Sequence, residues 1–412
     1  MLMLSAKRSI VAAYISGLLL AGTAMLQAAD PAGQWKKHDI NSLSPYEGCG
    51  VADFNNDGKP DIFSGDSWYE APHWTRHRVR EVPASTQNPH YHEDFADCPL
   101  DVNGDGFTDV VTCNYFGRRV SWVENPGGDA TAAWIEHEID LPGNMETGVL
   151  VDLTGDGVPE FLPNTPRAVV WYSLESQQPV RWQKHECGPE GAGHGVGSGD
   201  LNGDGRVDIL TPKGWYEQPQ EADQPWVFHA EFSLGSAGIQ ILGHDVNGDG
   251  LTDVIWGSGH DFGLYWLRQS KDENGSRQWT RIVIDDTFSQ VHTLLLAHLS
   301  GGDQPELITG KRVYAHETEA GATDAPVVWS FRYDPQQDTW IRESIFHGDP
   351  AVNAPERAAD RWALQDFPRG SAGTGLQLAA VDIDADGDLD LVCPGKSGLY
   401  LFENLRRDSQ RD

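Results

Sequence analysis

One nine-residue pattern recurs along the chain, and it restricts the fold more than any other feature. It places oxygen-bearing side chains at positions 1, 3, 5 and 9 and glycine at position 6. Copies begin at Asp53, Asp101, Asp152, Asp200, Asp245 and Asp382. Another, His298 to Glu306, keeps the length and loses most of the acidic positions. Successive starts are 48, 51, 48, 45, 53 and 84 residues apart, the last gap holding an insertion of about 35 residues. A fixed period of this size marks a repeat architecture in which each copy is one supersecondary unit that buries its apolar face against its neighbours.

Two landmarks keep phase with the loops. Each loop runs into a short apolar segment such as Asp61-Ile-Phe or Asp109-Val-Val, followed by a segment centred on Trp68, Trp122, Trp171, Trp215, Trp266 or Trp329. A third segment carries Trp74, Trp134, Trp182, Trp226, Trp279 or Trp340, often as Trp-x-x-His. Short Val/Ile/Trp/Tyr-rich runs between Gly, Pro and Asp turns are strands. Four strands in each of seven copies predict an all-β fold, a seven-bladed β-propeller of four-stranded blades. The last copy ends at Asn404 without an outer Trp strand, while Gln34-Trp35 to Ile40 precedes the first copy unassigned. The N-terminal strand should therefore complete the last blade and close the ring. Thirteen of the 15 Trp fall at repeat positions, so packing accounts for them. The same reading makes His38, His77, His137, His185 and His229 structural.

Residues 1–29 read as a signal peptide: Lys7 and Arg8, an apolar run, then Gln27-Ala28-Ala29. The mature protein is expected to be exported, periplasmic or extracellular, with one propeller over 30–412. No later stretch has the length of a membrane span. The net charge is −32, from 30 Lys+Arg against 62 Asp+Glu, which argues against nucleic acid as a partner because both would be polyanions. Five Cys in a chain of 412 residues do not make a disulfide framework; the spacing leaves room for one bridge, Cys98 to Cys113, on adjacent strands.

The loops have the ligands of a hard cation: side-chain oxygens at 1, 3, 5 and 9, a carbonyl at 7, and a tight turn at glycine 6. Five or six Ca²⁺ sites are expected. Their ligands are Asp53, Asn55, Asp57 and Asp61; Asp101, Asn103, Asp105 and Asp109; Asp152, Thr154, Asp156 and Glu160; Asp200, Asn202, Asp204 and Asp208; Asp245, Asn247, Asp249 and Asp253; and Asp382, Asp384, Asp386 and Asp390. The Asp152 loop should be weaker and the His298 loop empty. These loops hold 20 of the 62 carboxylates, so a large part of the acidity is periodic. The pattern resembles the FG-GAP or VCBS repeats of bacterial surface proteins and the integrin α-subunit head, a resemblance that implies the propeller fold and cation binding.

Function should come from residues the repeat does not require. Six positions before each loop stand Glu47, Phe95, Glu146, His194, Ile239, His292 and Leu376. The turns after each second strand, on the same face, carry Asp66, Asn114, Asn164, Lys213, His260, Lys311-Arg312 with His316, and Lys396. His90 and His92 enter the same end. Imidazoles with a carboxylate suit a transition metal such as Zn²⁺, and one His suits a base. The same residues also suit a wet, solvated channel mouth.

The stretches Gly193 to Tyr216, Gly259 to Trp266 and Thr309 to His316 resemble stand-alone bacterial propellers similar to the propeller domain of fungal aldos-2-ulose dehydratase. The resemblance implies a sugar dehydratase or polysaccharide lyase that removes a proton α to a carbonyl and expels a β substituent from a keto-sugar or uronate. In that reading His194 or His292 is the base, and Lys311 and Arg312 face the substrate oxyanion. Glu146, His260 and His316 are ligands of the second metal, and Lys213, Arg361 and Trp362 contact substrate. Residues 347–372 would form a rim or lid. The alternative is a non-catalytic, calcium-stabilised module that binds a glycan or a protein partner.

Overall fold

The computed structural model describes residues 34–88, 90–313, 319–322, 324–348 and 370–406. The fold is an all-β propeller. Among the described residues there are five four-stranded sheets and one eight-stranded sheet. Within a unit the strands follow one another antiparallel: Ala96–Leu100, Asp109–Cys113, Val120–Glu124 and Ile135–Asp140 make the second. The eight-stranded sheet is two such units joined by parallel pairing of Val196–Gly199 with Ala237–His244. Glycine permits that join, because a Cβ on Gly197 would lie 1.7 Å from the Ile241 carbonyl oxygen. The segment Trp35–Asn41 pairs antiparallel with Leu399–Asn404, as the unassigned N-terminal strand led one to expect.

The core lies between units. Trp68, Phe54 and Phe63 of the first unit pack against Val110, Val123 and Trp134 of the second, and the Trp68 indole donates to the Ala130 carbonyl at 2.9 Å. His77, His137, His185 and His229 stack on Trp68, Trp122, Trp171 and Trp215 with centroids 4.4, 4.5, 3.7 and 4.3 Å apart. His77, His137 and His229 are bound by Glu70, Glu124 and Glu217, each at 2.7 Å; Ser173 takes that place for His185. These imidazoles are outer-strand packing with a carboxylate anchor, and the partner Glu two residues after the Trp had not been read from the pattern. All five cysteines are free. Register sets Cys98 opposite Val111 and Cys113 opposite Ala96, so the two candidate bridge partners do not face each other.

The ninth loop residue ties each unit's loop to the end of its own third strand. Asp109 accepts the Val102 amide at 3.0 Å and the Asn125 amide at 2.7 Å. Asp61, Asp208, Asp253 and Asp390 take the equivalent amide pairs. Glu160 and Glu306 each accept the amide of the loop's second residue. The degenerate sixth copy therefore keeps this bond after losing the cation pattern. Residues 349–369, which include Arg361, Trp362 and most of the expected rim, lie outside the described residues, as do 1–33 and His316.

Candidate active site and cation loops

Turns and strand starts at one end of the propeller bring most of the aperiodic residues into one cup. His194, His260 and His292 come from the fourth, fifth and sixth units. Their ring centroids are 5.0, 5.7 and 6.2 Å apart, and one nitrogen from each lies within 4.8 Å of the other two. His194 Nδ1 sits 2.7 Å from the Ala237 carbonyl and His292 Nδ1 lies 3.0 Å from the Gln290 carbonyl. A carbonyl can only accept, so both Nδ1 atoms carry the proton and both Nε2 atoms hold a lone pair when the ring is neutral. Ligating histidines are oriented in this way, with the second ring nitrogen donating to a carbonyl or carboxylate. The three rings thus fit a transition metal by number and proximity, and His194 and His292 also by tautomer.

Glu146 stands beside the imidazoles, its carboxylate 3.6 Å from His194 Nε2. Asn164 positions both: its Oδ1 accepts the Glu146 and Thr147 amides at 2.8 and 2.9 Å, and its Nδ2 donates to the Gly193 carbonyl at 3.3 Å. The His194 and Glu146 side chains remain 28% and 13% exposed, so the cup opens onto this pair. Burial alone would lower the His194 pKa, but Glu146 and the Ala237 carbonyl outweigh it and raise the value. His260 moves the other way, lowered by burial and then by His194.

Arg312 crosses the floor. It is fully buried and holds Glu47 through Nε and Nη2, both at 2.9 Å, with Nη1 3.7 Å from Glu146. Lys396 lies 3.7 Å from Glu47 and sits over the Tyr91 ring at 3.5 Å. Burial would raise the Glu47 carboxyl, yet Arg312 and Lys396 together hold it below the ordinary value. The guanidinium expected to meet a substrate oxyanion is therefore engaged by two carboxylates. Lys311 turns elsewhere and donates to Gln290 Oε1 at 2.7 Å; burial pushes its pKa down to about 7. Lys213 is exposed on its turn. His92 packs edge-on to Tyr46 at 5.2 Å, and His90 is buried nearby in sequence.

An aromatic wall borders the cup, and sequence phase marks only its Phe95. Tyr91 stacks on Phe95 at 5.9 Å, and Tyr115 meets Phe116 edge-on at 5.0 Å. Burial and then the Glu146 charge raise the Tyr115 phenol, which places it beside the site. Tyr91, Tyr115 and Phe116 come from the long first-to-second connection and one turn, where no period predicts a side chain's direction.

On the opposite face each loop is folded around its first carboxylate. Asp101 accepts the Gly104 and Gly106 amides at 2.8 and 3.0 Å, and Asp200 and Asp245 bind the corresponding pairs. Asp382, Asp384 and Asp386 group their oxygens within 4.8 Å of one another. Burial pushes Asp109 and Asp208 up to about 7, as expected for carboxyls facing other acids.

A model of the FG-GAP-like repeat matches residues 101–162, the second and third loops and the strands between them. The chain is similar to aldos-2-ulose dehydratase of Phanerodontia chrysosporium, 26% identical over 182 residues. That match takes in 37% of this chain and 20% of the dehydratase, so it spans about a fifth of the enzyme's length. Among solved structures, a lectin of Agrocybe aegerita that recognises non-reducing terminal N-acetylglucosamine superposes with a TM-score of 0.47 at 14% identity, covering 88% of this chain and 91% of the lectin.

Proposed function

We propose that this protein is an exported, calcium-stabilised carbohydrate lyase or dehydratase, acting on a keto-sugar or uronate at the three-histidine cup. The observation that carries the reading is the convergence of His194, His260 and His292 beside Glu146. His194 and His292, each a candidate base in the sequence, stand in one group with His260 and are better used as ligands. Glu146 then becomes the proton acceptor. A divalent metal such as Zn²⁺, when bound by the three imidazoles, supplies Lewis acidity toward a carbonyl oxygen.

The chain's own residues account for the rest. Glu146 takes the α proton, and Asn164, through the amides it binds, fixes where that carboxylate stands. The C–H pair forms the new C=C bond as the β C–O bond breaks, and the proton taken by Glu146 passes to the departing hydroxyl, which leaves as water, so the elimination balances. Arg312 Nη1, 3.7 Å from Glu146, sets a fixed positive charge beside the carboxylate. The Tyr115 and Phe116 rings offer an apolar edge for the sugar ring. Homology to a sugar dehydratase over part of the chain supports the substrate class.

The test is metal analysis of the purified protein, followed by a screen of keto-sugars and uronates for unsaturated products. One equivalent of transition metal that is lost in His260→Ala, together with loss of product, is the expected result. A His194→Ala His292→Ala variant with undiminished turnover would overturn the assignment. A protein that holds no transition metal and forms no product, yet binds a glycan, would return the reading to a binding module.

A further inference from the structure

The structure gives Lys311 and Gln290 a shared task that neither their phase nor the proposed chemistry assigns. Gln290 is fully buried and adopts φ 59°, a left-handed backbone that a side chain with a Cβ rarely takes. Such strain persists only where surrounding contacts over-determine it, and it gathers at functional sites. Three contacts fix Gln290. Its amide donates to the Asp261 carbonyl at 3.2 Å, and its Oε1 accepts Lys311 Nζ at 2.7 Å. Its carbonyl, turned inward by that same backbone angle, lies 3.0 Å from His292 Nδ1.

Lys311 is itself held on both sides. Its amide donates to Val327 O at 3.0 Å, and its carbonyl accepts the Thr374 amide at 3.3 Å. The amine is thus a rigid post to which the Gln290 side chain is tied. We propose that Lys311 and Gln290 are positioning residues: the Lys311–Gln290 bond locks a left-handed backbone whose carbonyl sets the Nδ1–H tautomer and orientation of His292, presenting Nε2 to the cup. This rests on the metal reading only for its consequence, since the tautomer is a property of the chain alone. It also replaces the expected contact of Lys311 with substrate by an indirect role.

The experiment follows the His292 ring by nitrogen-15 NMR in the full-length protein and titrates Co²⁺ by its visible absorption. Lys311→Met removes the donor at similar volume. It should unlock His292, giving mixed tautomers, and weaken Co²⁺ binding by about tenfold, the scale found when an orienting partner of a ligand is lost. Gln290→Ala, which keeps the Cβ and loses the acceptor, should do the same and serves if Lys311→Met does not fold. Gln290→Gly in the Lys311→Met background should restore the tautomer and most of the affinity, because glycine holds a positive φ without an anchor. A rescue of this kind would not follow from a merely structural lysine. The inference is overturned if Lys311→Met and Gln290→Ala keep the single Nδ1–H tautomer, or if the glycine double variant is no better than Lys311→Met. Wild-type protein that shows the locked tautomer and binds no Co²⁺ would sink the metal reading and leave the positioning inference standing.

Discussion

The two ends of the propeller are built on opposite rules. At the acidic end every unit repeats the same loop, and the ninth carboxylate accepts the second residue's amide in all seven copies, including the His298 copy that has lost the cation pattern. At the histidine end the contributions follow no single rule: Glu47, Glu146, His194, His260, His292 and Arg312 come from five units and meet once. Periodic contacts stabilise the fold many times over, whereas the aperiodic cup depends on single interactions. The acidic end should therefore tolerate the loss of one copy better than the cup tolerates the loss of one residue.

Calcium removal is the broadest way to break this contrast. A ligand held at a hundred times its Kd adds about 2.7 kcal/mol per site, so stripping five or six loops should lower the unfolding midpoint more than any single substitution. The midpoint in chelator against excess Ca²⁺ checks it. Circular dichroism should show the drop, and His292 should keep its tautomer below the new midpoint. No change on chelation would mean that the loops close on hydrogen bonds alone.

At the other end one pair carries the floor. Glu47→Ala leaves Arg312 buried with Glu146, 3.7 Å away, as its nearest carboxylate among the described residues, and breaking a buried ion pair in this way costs about 3–5 kcal/mol. Denaturant midpoints at constant Ca²⁺ measure it, and a loss below about 1 kcal/mol would show that water reaches Arg312. Next in size, Asp109→Ala removes the acceptor for the Val102 and Asn125 amides and should cost about 3 kcal/mol, two buried donors left unsatisfied. Asn103→Ala, two residues into the same loop and half-buried, loses the bond from the Asp105 amide and should cost the calcium-free midpoint about 1 kcal/mol and the calcium-bound one more. Equal losses for the two variants would erase the distinction between folding and cation positions.

What could be read in advance follows the same division. Loop phase, the Trp positions and the unassigned N-terminal strand fix which residues share a sheet, because a period constrains backbone placement. Phase also puts Glu47, Glu146, His194 and His292 at one end. It does not fix where a side chain turns. Lys311 and Arg312 are adjacent, yet one reaches Gln290 and the other Glu47. Lys213, at the equivalent turn, stays in solvent. Asn164 stands among the phased turn residues, but its hold on the Glu146 and Gly193 backbone leaves no mark on the pattern, and Gln290 lies off every phased position.

The smallest effect is a slope. Asp94 and Asp97 have fully buried side chains and face Arg80: Nη2 binds Asp94 and lies 3.5 Å from Asp97. Arg80 Nη1 is 3.7 Å from Glu136, which Arg119 also binds at 2.7 Å, and Thr112 and the Gly65 amide add donors to the two aspartates. Three carboxylates thus meet two guanidiniums. Burial, then the neighbouring acid, raises Asp94 well above the ordinary value, and burial raises Asp97 despite Arg80. A raised carboxyl keeps its proton in the folded chain at pH values where the unfolded chain has released it. Stability from this pair is therefore greatest at low pH and falls as pH climbs from about 4, the unfolded value, through the raised native one. Asp94→Asn is neutral throughout and should flatten that decline. Urea midpoints from pH 4 to 8 should converge with or fall below the variant's as pH rises, and the ninth-position aspartates, present in both proteins, cancel in the difference. Parallel curves would mean that Arg80 suffices to ionise both aspartates in the folded chain.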